Sequence, residues 1–168
     1  MPYEVLRGSV FRYGDSVDTD VIIPARYCTS FHAAELAPHC LEDLDPTFVK
    51  RVSAGDIIVA GYNFGCGSSR ENAPIAIKGA GVACVIARSF ARIFYRNSIN
   101  IGLPILSAPE AVDGLNEGDI VEVEPGTGAI RNITRGGVWT ADAFPAEIQS
   151  IIRAGGLVEY VQKRLASR

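Results

Sequence analysis

The chain has 168 residues, of which 48% are hydrophobic and 21% are charged. This composition is typical of a globular protein with a sizeable core, and we expect residues 1–168 to form a single domain. The net charge of −3 suggests neither nucleic acid nor an anionic membrane surface as a partner. No apolar run approaches the roughly 18 residues of a membrane span, and the N-terminus lacks a signal-peptide core, so we expect a cytoplasmic protein.

Hydrophobic runs and turn residues predict alternating strands and helices along most of the chain. In order, we predict strands at 3–13 and 20–24, helices at 33–41 and from 45 onward, a strand at 57–60, a helix at 70–79, a strand at 82–87, a helix at 90–97, a strand at 103–106, a hairpin of 119–124 with 129–134, and helices at 144–154 and 156–166. The alternation between residues 57 and 106 is typical of parallel strands joined by crossover helices. Ligand sites in such sheets lie at the carboxyl ends of the strands.

A glycine-rich segment follows the strand predicted at 57–60. Residues 61–71 read Gly-Tyr-Asn-Phe-Gly-Cys-Gly-Ser-Ser-Arg-Glu. The glycines allow positive φ and a close approach of the backbone to a ligand, and the amides that open the next helix carry the positive end of its dipole. Arg70 adds a fork-shaped donor for a carboxylate or a phosphate. The segment therefore predicts an anion-binding reaction site.

A simpler interpretation of the same residues is a helix start, with Ser68 as the N-cap and Glu71 three residues later. A cap needs only one hydroxyl, whereas this segment supplies two hydroxyls, several glycines and a guanidinium, which favours a binding site. No Gly-Lys-Ser/Thr follows the glycines and the spacing of a dinucleotide fingerprint is absent, so a nucleotide is not the expected anion.

The four cysteines, Cys28, Cys40, Cys66 and Cys84, include no Cys-x-x-Cys pair. With only two histidines in the chain, this spacing argues against a self-contained zinc or iron–sulfur site. Cys66 lies in the glycine-rich segment, where a helix N-terminus and Arg70 would lower its pKa, but no histidine is close in sequence to act as its base. We therefore expect this chain to bind no cofactor and rank covalent thiol catalysis low.

Three segments in register carry a resemblance to a known family. Residues 18–27 (DTDVIIPARY), 63–71 (NFGCGSSRE) and 87–97 (ARSFARIFYRN) resemble the small subunits of 3-isopropylmalate dehydratase, in the aconitase superfamily. The match runs from about residue 7 to residue 107, and the remainder agrees in length and character only. The resemblance implies an α/β swivelling domain in three layers (β/β/α), with a largely parallel sheet and flanking helices.

The same resemblance implies that two chains share the reaction. A separate large catalytic subunit would hold a [4Fe-4S] cluster, this chain would bind no metal, and isolated copies could form a homo-oligomer. The substrate would be a small hydroxy-dicarboxylate, from which water is removed and to which it is added again. The leading expectation is the interconversion of 2-isopropylmalate and 3-isopropylmalate through isopropylmaleate in leucine biosynthesis.

The family motif also implies roles for the glycine-rich segment. By position, Ser68 would be the catalytic base, an alkoxide that takes a proton from a substrate carbon. Ser69 and Arg70 would hold a substrate carboxylate beside the backbone of Gly67. Backbone amides, the helix dipole and Arg70 are the groups that could stabilise such an anion. If Ser68 is the base, its side-chain oxygen cannot serve only as the N-cap of the helix.

Arg26 and Tyr27 begin a segment that resembles the family's substrate-selecting loop. Thr29, two places after the tyrosine, is neither the arginine that suits a longer tricarboxylate nor the apolar residue that suits an isopropyl group. Small subunits of homoaconitase, 2,3-dimethylmalate dehydratase and citraconate (methylmalate) hydratase therefore remain alternatives, as does, from another class, a non-catalytic anion-binding module. For residues 18–20 we expect turn hydrogen bonds, because acids beside a dicarboxylate would repel it.

Overall fold

A seven-stranded sheet with flanking helices forms the centre of the computed structural model, which describes residues 4–168. The strands are β1 (Leu6–Arg12), β2 (Ile57–Ala60), β3 (Cys84–Ala87), β4 (Ile105–Ser107), β5 (Ile120–Glu124), β6 (Ala129–Asn132) and β7 (Val138–Thr140). The helices are α1 (Thr19–Ile22), α2 (Ala33–Leu36), α3 (Phe48–Arg51), α4 (Asn72–Gly79), α5 (Arg92–Asn100), α6 (Pro109–Gly114), α7 (Ala146–Ala154) and α8 (Leu157–Ala166). Single 3-10 turns occupy Ala25–Tyr27 and Ala37–His39.

The sheet is mixed, and its strands lie in the order β4-β3-β2-β1-β5-β6-β7. β1 to β4 pair in parallel, whereas β5 pairs antiparallel with β1 and continues into antiparallel β6 and β7. β1 thus joins a parallel half to an antiparallel half. The expectation of parallel strands with crossover helices between residues 57 and 106 is confirmed for β2 to β4, and the hairpin of β5 and β6 was also predicted.

Two hydrophobic cores lie on opposite faces of the parallel strands. One face packs against the helices; its buried side chains include Phe11, Ile58, Val85, Ile77 and Phe94. The other face shares a core with β5, β6 and α6; its buried side chains include Val10, Ile57, Ile86, Val121 and Ile130. Helices, parallel strands and antiparallel strands therefore form three layers. All four residues of both β2 and β3 are buried, as parallel strands covered on both faces require.

The strand predicted at 20–24 is wrong, because these residues enter the one-turn helix α1. The run Val21-Ile22-Ile23 favours a strand by propensity. The Asp18 side chain instead accepts a hydrogen bond from the Val21 N–H at 2.9 Å and caps the turn, as N-cap residues do. Ile22 and Ile23 are fully buried, so tertiary packing and the cap outweigh the β-branched pattern.

Two short elements, α6 and β7, were not predicted. α6 starts at Pro109, and β7 carries Trp139, which packs against the second core. A Cβ at Gly114 would lie 2.2 Å from Cζ2 of Trp139, so glycine is needed for this contact. The remaining predicted elements are present with shifted ends, although residue 3 of the first predicted strand lies outside the described residues. Between Glu4 and the C-terminus, no helix combines the length and the apolarity that a membrane crossing needs.

A buried carboxylate fixes the entry to β5. Asp119 is 2% exposed and accepts hydrogen bonds from the Asn116 N–H at 2.9 Å, from Asn132 Nδ2 at 2.8 Å and from Arg135 Nε at 2.9 Å. Burial alone would raise the pKa of Asp119, but these donors and the charge of Arg135 outweigh it and hold the pKa below its ordinary value. The folded state therefore favours the charged form of the Asp119 side chain.

We predict that Asp119→Asn lowers the free energy of unfolding at pH 7 by about 1–3 kcal/mol, because the charged acceptor of three donors is lost. A carboxylate with a lowered pKa in the folded state stabilises the fold above its unfolded pKa of about 4, and this contribution is lost as pH falls through the folded pKa. The difference between wild type and variant should therefore shrink from pH 7 to pH 3. Urea unfolding at both pH values measures it, with exposed Asp142→Asn as the control. An equal difference at both pH values would contradict the prediction.

Candidate active site

The glycine-rich loop lies at the carboxyl end of the parallel strands, between β2 and α4. On one side the Gly65 N–H donates to Val17 O at 2.8 Å, and the Thr19 N–H donates to Cys66 O at 2.8 Å. On the other side the Phe64 N–H donates to Ser89 O at 3.0 Å. The loop is therefore fixed between the segment that follows β1 and the segment that follows β3, where sites in α/β sheets are expected.

Gly65 and Gly67 both adopt the left-handed conformation, with φ of +80° and +95°. A Cβ on Gly65 would lie 2.1 Å from Cγ of Phe94, inside the aromatic ring's own space. Phe94 is 2% exposed and packs edge-on against Phe64, with ring centroids 5.3 Å apart. Glycine at position 65 is therefore required both by the backbone conformation and by the packing.

Ser68 stands exposed at the end of this loop. The Thr19 hydroxyl donates to Ser68 O at 2.8 Å, and its oxygen is 3.5 Å from Ser68 Oγ. The Arg70 N–H also donates to Ser68 O, at 2.9 Å. Within residues 4–168, the N–H groups of Gly67, Ser68 and Ser69 have no acceptor. Three successive free amides are a ready binding surface for an anion.

The helix after the loop begins later than predicted, and the capping box proposed for Ser68 is wrong. α4 starts at Asn72, with Glu71 in the cap position and no side-chain cap. The Asn72 side chain turns away from the cap and donates from Nδ2 to Ser30 O at 2.5 Å. Because α4 starts at Asn72, the hydroxyls of Ser68 and Ser69 remain available at the surface.

Arg70 lies on the same side of the loop as Ser68. Its Nη2 pairs with Oδ1 of Asp20 at 2.8 Å, and its Nη1 lies 3.6 Å from Sγ of Cys28. The Arg70 side chain is 23% exposed and the Asp20 side chain is 60% exposed, so this ion pair is open to water. A cavity of about 170 Å³ is lined by Thr19, Gly65, Gly67, Ser68, Ser69, Arg70, Ala91, Arg92, Ile93 and Phe94.

The structure thus brings Gly67, Ser68, Ser69 and Arg70 together around one cavity. Arg26 and Tyr27 do not line it. The Arg26 guanidinium donates two hydrogen bonds to the Asp43 carboxylate, at 2.8 and 3.2 Å. Tyr27 stacks on His39, with ring centroids 3.6 Å apart.

Thr29 is exposed in the loop that follows the Ala25–Tyr27 turn. That loop reaches the site through Cys28, beside Arg70, and through Ser30, which accepts from Asn72. Sequence patterns missed Thr19 and Asp20 as site residues. The one available signal was their place in the Asp-Thr-Asp motif, which was interpreted as a turn.

The cysteines do not form a reactive or metal-binding centre. Burial and the nearby Asp18 charge raise the pKa of the Cys66 thiol, so the expectation that Arg70 and a helix N-terminus lower it is wrong. Cys40 and Cys84 are fully buried in the two cores. Nowhere in the described chain do three or more His, Cys, Asp or Glu side chains gather closely enough to hold a metal ion. The arrangement of these side chains in the described residues therefore does not fit an iron–sulfur cluster.

The fold and the loop can now be compared with known proteins. The aconitase C-terminal domain model matches residues 41–110, which include β2, the glycine-rich loop, α4 and β3. A crystal structure of 3-isopropylmalate dehydratase from Methanocaldococcus jannaschii superposes with a TM-score of 0.91 at 45% identity, covering 97% of this chain and 96% of that one. The class is therefore that of the α/β domain found at the C-terminus of aconitases.

Sequence relatives define the family more narrowly. The 3-isopropylmalate dehydratase small subunit of Heliobacterium modesticaldum is 62% identical over 159 residues, covering 95% of this chain and 96% of that protein. The 2,3-dimethylmalate dehydratase small subunit of Eubacterium barkeri is 62% identical over 155 residues, covering 92% and 95%. This chain belongs to the family of 3-isopropylmalate dehydratase small subunits.

We predict that Gly65→Ala destabilises the chain more than Gly118→Ala. Gly118 has a similar φ of +83°, but no atom lies within 4 Å of the place that a Cβ would take there. Its substitution therefore measures the backbone cost alone, about 1 kcal/mol. Gly65→Ala adds the clash with Phe94, which should cost about 1–3 kcal/mol more. Urea unfolding of the two variants gives the difference, and equal losses would mean that the Phe94 ring moves aside freely.

Proposed function

We propose that this chain is the small subunit of a hydro-lyase that interconverts 2-isopropylmalate and 3-isopropylmalate through isopropylmaleate, in leucine biosynthesis. The observation that carries the proposal is the cavity where the Ser68 hydroxyl, three free amides and Arg70 meet. Such a site fits a small dianion and offers one group, Ser68, that can exchange a proton with it. The family relationship supports the same activity.

Ser68 is the proposed catalytic base. In the dehydration step its alkoxide oxygen takes the proton from the carbon next to the hydroxyl-bearing carbon. The C–H electron pair becomes the second bond of the alkene, and the hydroxyl leaves with the electrons of its C–O bond. Hydration at the other carbon reverses these steps and returns the proton, so the net change is a shift of the hydroxyl.

Stabilisation of the serine anion is the main demand on this loop, because an ordinary serine is a poor base. The free N–H groups at positions 67–69 are preorganised donors that need no rearrangement when charge develops. The Arg70 guanidinium adds a positive charge nearby. The same amides and the Ser69 hydroxyl are proposed to hold a substrate carboxylate together with Arg70.

Substrate has to compete with Asp20 for Arg70. An exposed ion pair of this kind contributes only about 0–1 kcal/mol, so a dicarboxylate held by several donors can displace it. Residues 18–20 were expected to make turn hydrogen bonds, as Asp18 does; we propose in addition that Asp20 pairs with Arg70 until the substrate binds.

A large partner subunit is part of the proposal. The small-subunit relatives support it, as do exposed apolar side chains, one of which lines the cavity. Ile93 is 50% exposed and lines the cavity, and Phe31 is 61% exposed in the loop that contacts α4 through Ser30. When bound in that partner, a [4Fe-4S] cluster would supply the Lewis acid for the leaving hydroxyl. The four free thiols of this chain suit the reducing cytoplasm that we propose as its location.

A second candidate is the small subunit of a 2,3-dimethylmalate dehydratase. The Eubacterium barkeri relative has the same 62% identity as the Heliobacterium modesticaldum protein. Both substrates are branched hydroxy-dicarboxylates and would use the same base and anion site. The difference lies in the alkyl group, for which we propose the segment of Arg26, Tyr27 and Thr29 as the selecting loop once the partner is docked.

Reconstitution tests the function directly. We expect the chain, co-expressed with large-subunit candidates from its own genome and assayed without oxygen, to convert 3-isopropylmalate. The same complex should be offered 2,3-dimethylmalate, citramalate and homocitrate with its dehydration product. Turnover of dimethylmalate alone would establish the second candidate. No stable complex and no turnover of any substrate would refute the enzyme function.

We predict that Ser68→Ala lowers kcat of the reconstituted complex by about 10²- to 10⁴-fold, the usual contribution of a general base. KM should change little, because Arg70 and the free amides remain. Ser53→Ala is the matched control, since Ser53 is exposed just before β2, at the opposite end of that strand from the loop. Turnover within a few-fold of wild type would remove Ser68 as the base.

A further inference from the structure

Thr19 is a buried hydroxyl placed against the proposed base. The residue is 2% exposed, so water has little access to it as an alternative partner. It is the first residue of α1, and its own N–H is fixed to Cys66 O. Both its backbone and its side chain therefore contact the loop that carries Ser68.

The direction of the hydrogen bonds follows from the number of protons. A threonine hydroxyl has one proton to donate and two lone pairs that accept. That proton is used in the 2.8 Å bond to Ser68 O. The geometry of the 3.5 Å contact between the two hydroxyl oxygens allows either one as the donor; in the neutral site we assign Ser68 as the donor, because the Thr19 proton is used in the shorter bond. The Ser68 proton then points towards Thr19, and its lone pairs face away from Thr19.

Loss of the Ser68 proton reverses this contact. The Thr19 hydroxyl can rotate about its C–O bond from Ser68 O to the Ser68 Oγ anion, and hydrogen bonds to ionised acceptors are shorter and roughly twice as strong. The Ser68 carbonyl is not left without a donor, because the Arg70 N–H still bonds to it at 2.9 Å. The rotation therefore costs no unsatisfied buried group.

We propose that Thr19 is a positioning residue for catalysis, which orients the Ser68 hydroxyl in the resting site and donates a hydrogen bond to the Ser68 anion when the base is formed. This inference rests on the proposed function, since it requires Ser68 to act as the base. It assigns to Thr19 a role that the sequence motif alone, interpreted as a turn, did not indicate.

The test compares Thr19→Val, which keeps the shape and loses the hydroxyl, with Thr19→Ser, which keeps the hydroxyl. In the reconstituted complex we expect Thr19→Val to lower kcat about 10- to 100-fold, somewhat less than removal of a full oxyanion-hole donor. KM should stay near the wild-type value, and Thr19→Ser should restore most of kcat. Because valine donates no hydrogen bond to the Ser68 anion, the pKa of Ser68 should rise, and the rising limb of the kcat profile should move to higher pH in Thr19→Val.

Controls separate this role from loop packing. Thr140→Val makes the same change at an exposed position of β7 and should leave kcat unchanged. Thermal unfolding of each isolated chain checks folding. If Thr19→Val does not fold, Thr19→Ser and Thr19→Ala provide the same comparison without the branched side chain, and a higher kcat for serine supports the proposal.

Three results would overturn the inference. One is a wild-type kcat in Thr19→Val, and another is a lower kcat with an unshifted pH profile, which would limit Thr19 to packing. The third is an active complex in which Ser68→Ala retains wild-type kcat, because there would then be no serine anion to stabilise. A wild-type complex without any turnover would instead refute the proposed function itself, and with it this role.

Discussion

The backbone hydrogen bonds that hold residues 64–66 between their neighbours are the constraint on which the site depends. Phe64 bonds to the segment after β3, while Gly65 and Cys66 bond to the segment after β1. The loop is thereby continued as a short extension of β2, an interior strand of the parallel half of the sheet. Its position is set by backbone hydrogen bonds to the segments that follow the neighbouring strands, rather than by the loop's own side chains. Such preorganisation is what an electrostatic site needs.

The late start of α4 creates the anion site from that rigid loop. If the helix began at Ser69, with Ser68 as its cap, the Ser68 oxygen would be bound to backbone N–H groups. With the first helical residue at Asn72, the amides at 67–69 stay free and neither serine hydroxyl is used in a helix cap. The cost is an uncapped first turn, offset by the hydrogen bond that Asn72 donates to the neighbouring loop. The first turn of α4 is therefore less stable than a capped turn would be, while the amides at 67–69 remain available to an anion.

Much of this architecture could be predicted from sequence, because the signals are local. A few adjacent residues are enough to indicate each of these features: the buried runs of β2 and β3, the glycines between β2 and α4, and the crossover helices. α1 was missed because its β-branched residues favour a strand, whereas the hydrogen bond from the Val21 N–H to the Asp18 carboxylate stabilises a helical turn. α6 and β7 were missed because they are short and depend on contact between Trp139 and Gly114. Tertiary packing of this kind leaves no periodic pattern.

The same distinction applies to the site. Ser68, Ser69 and Arg70 are adjacent in sequence, so one motif identifies them together. The contact between Thr19 and Ser68 joins positions 49 residues apart and exists only because β1 and β2 are neighbours in the sheet. Likewise, nothing local indicates that Asp20 reaches Arg70. Partners of a catalytic group that come from another strand connection become visible only once the sheet order is known.

Solvent exposure gives a physical reason for the partner subunit that we propose. Ser68 is exposed, and a serine anion surrounded by bulk water would gain little from fixed amides, since water screens each interaction. The Arg70 charge is similarly shared with exposed Asp20. A surface that covers the cavity would exclude water and strengthen the hydrogen bonds donated to Ser68. It would also make an unpaired Arg70 guanidinium less stable, which favours binding of a substrate carboxylate. In the proposed mechanism, Ser68 and the anion donors therefore stay inactive on this chain until the partner surface closes over them together with the substrate.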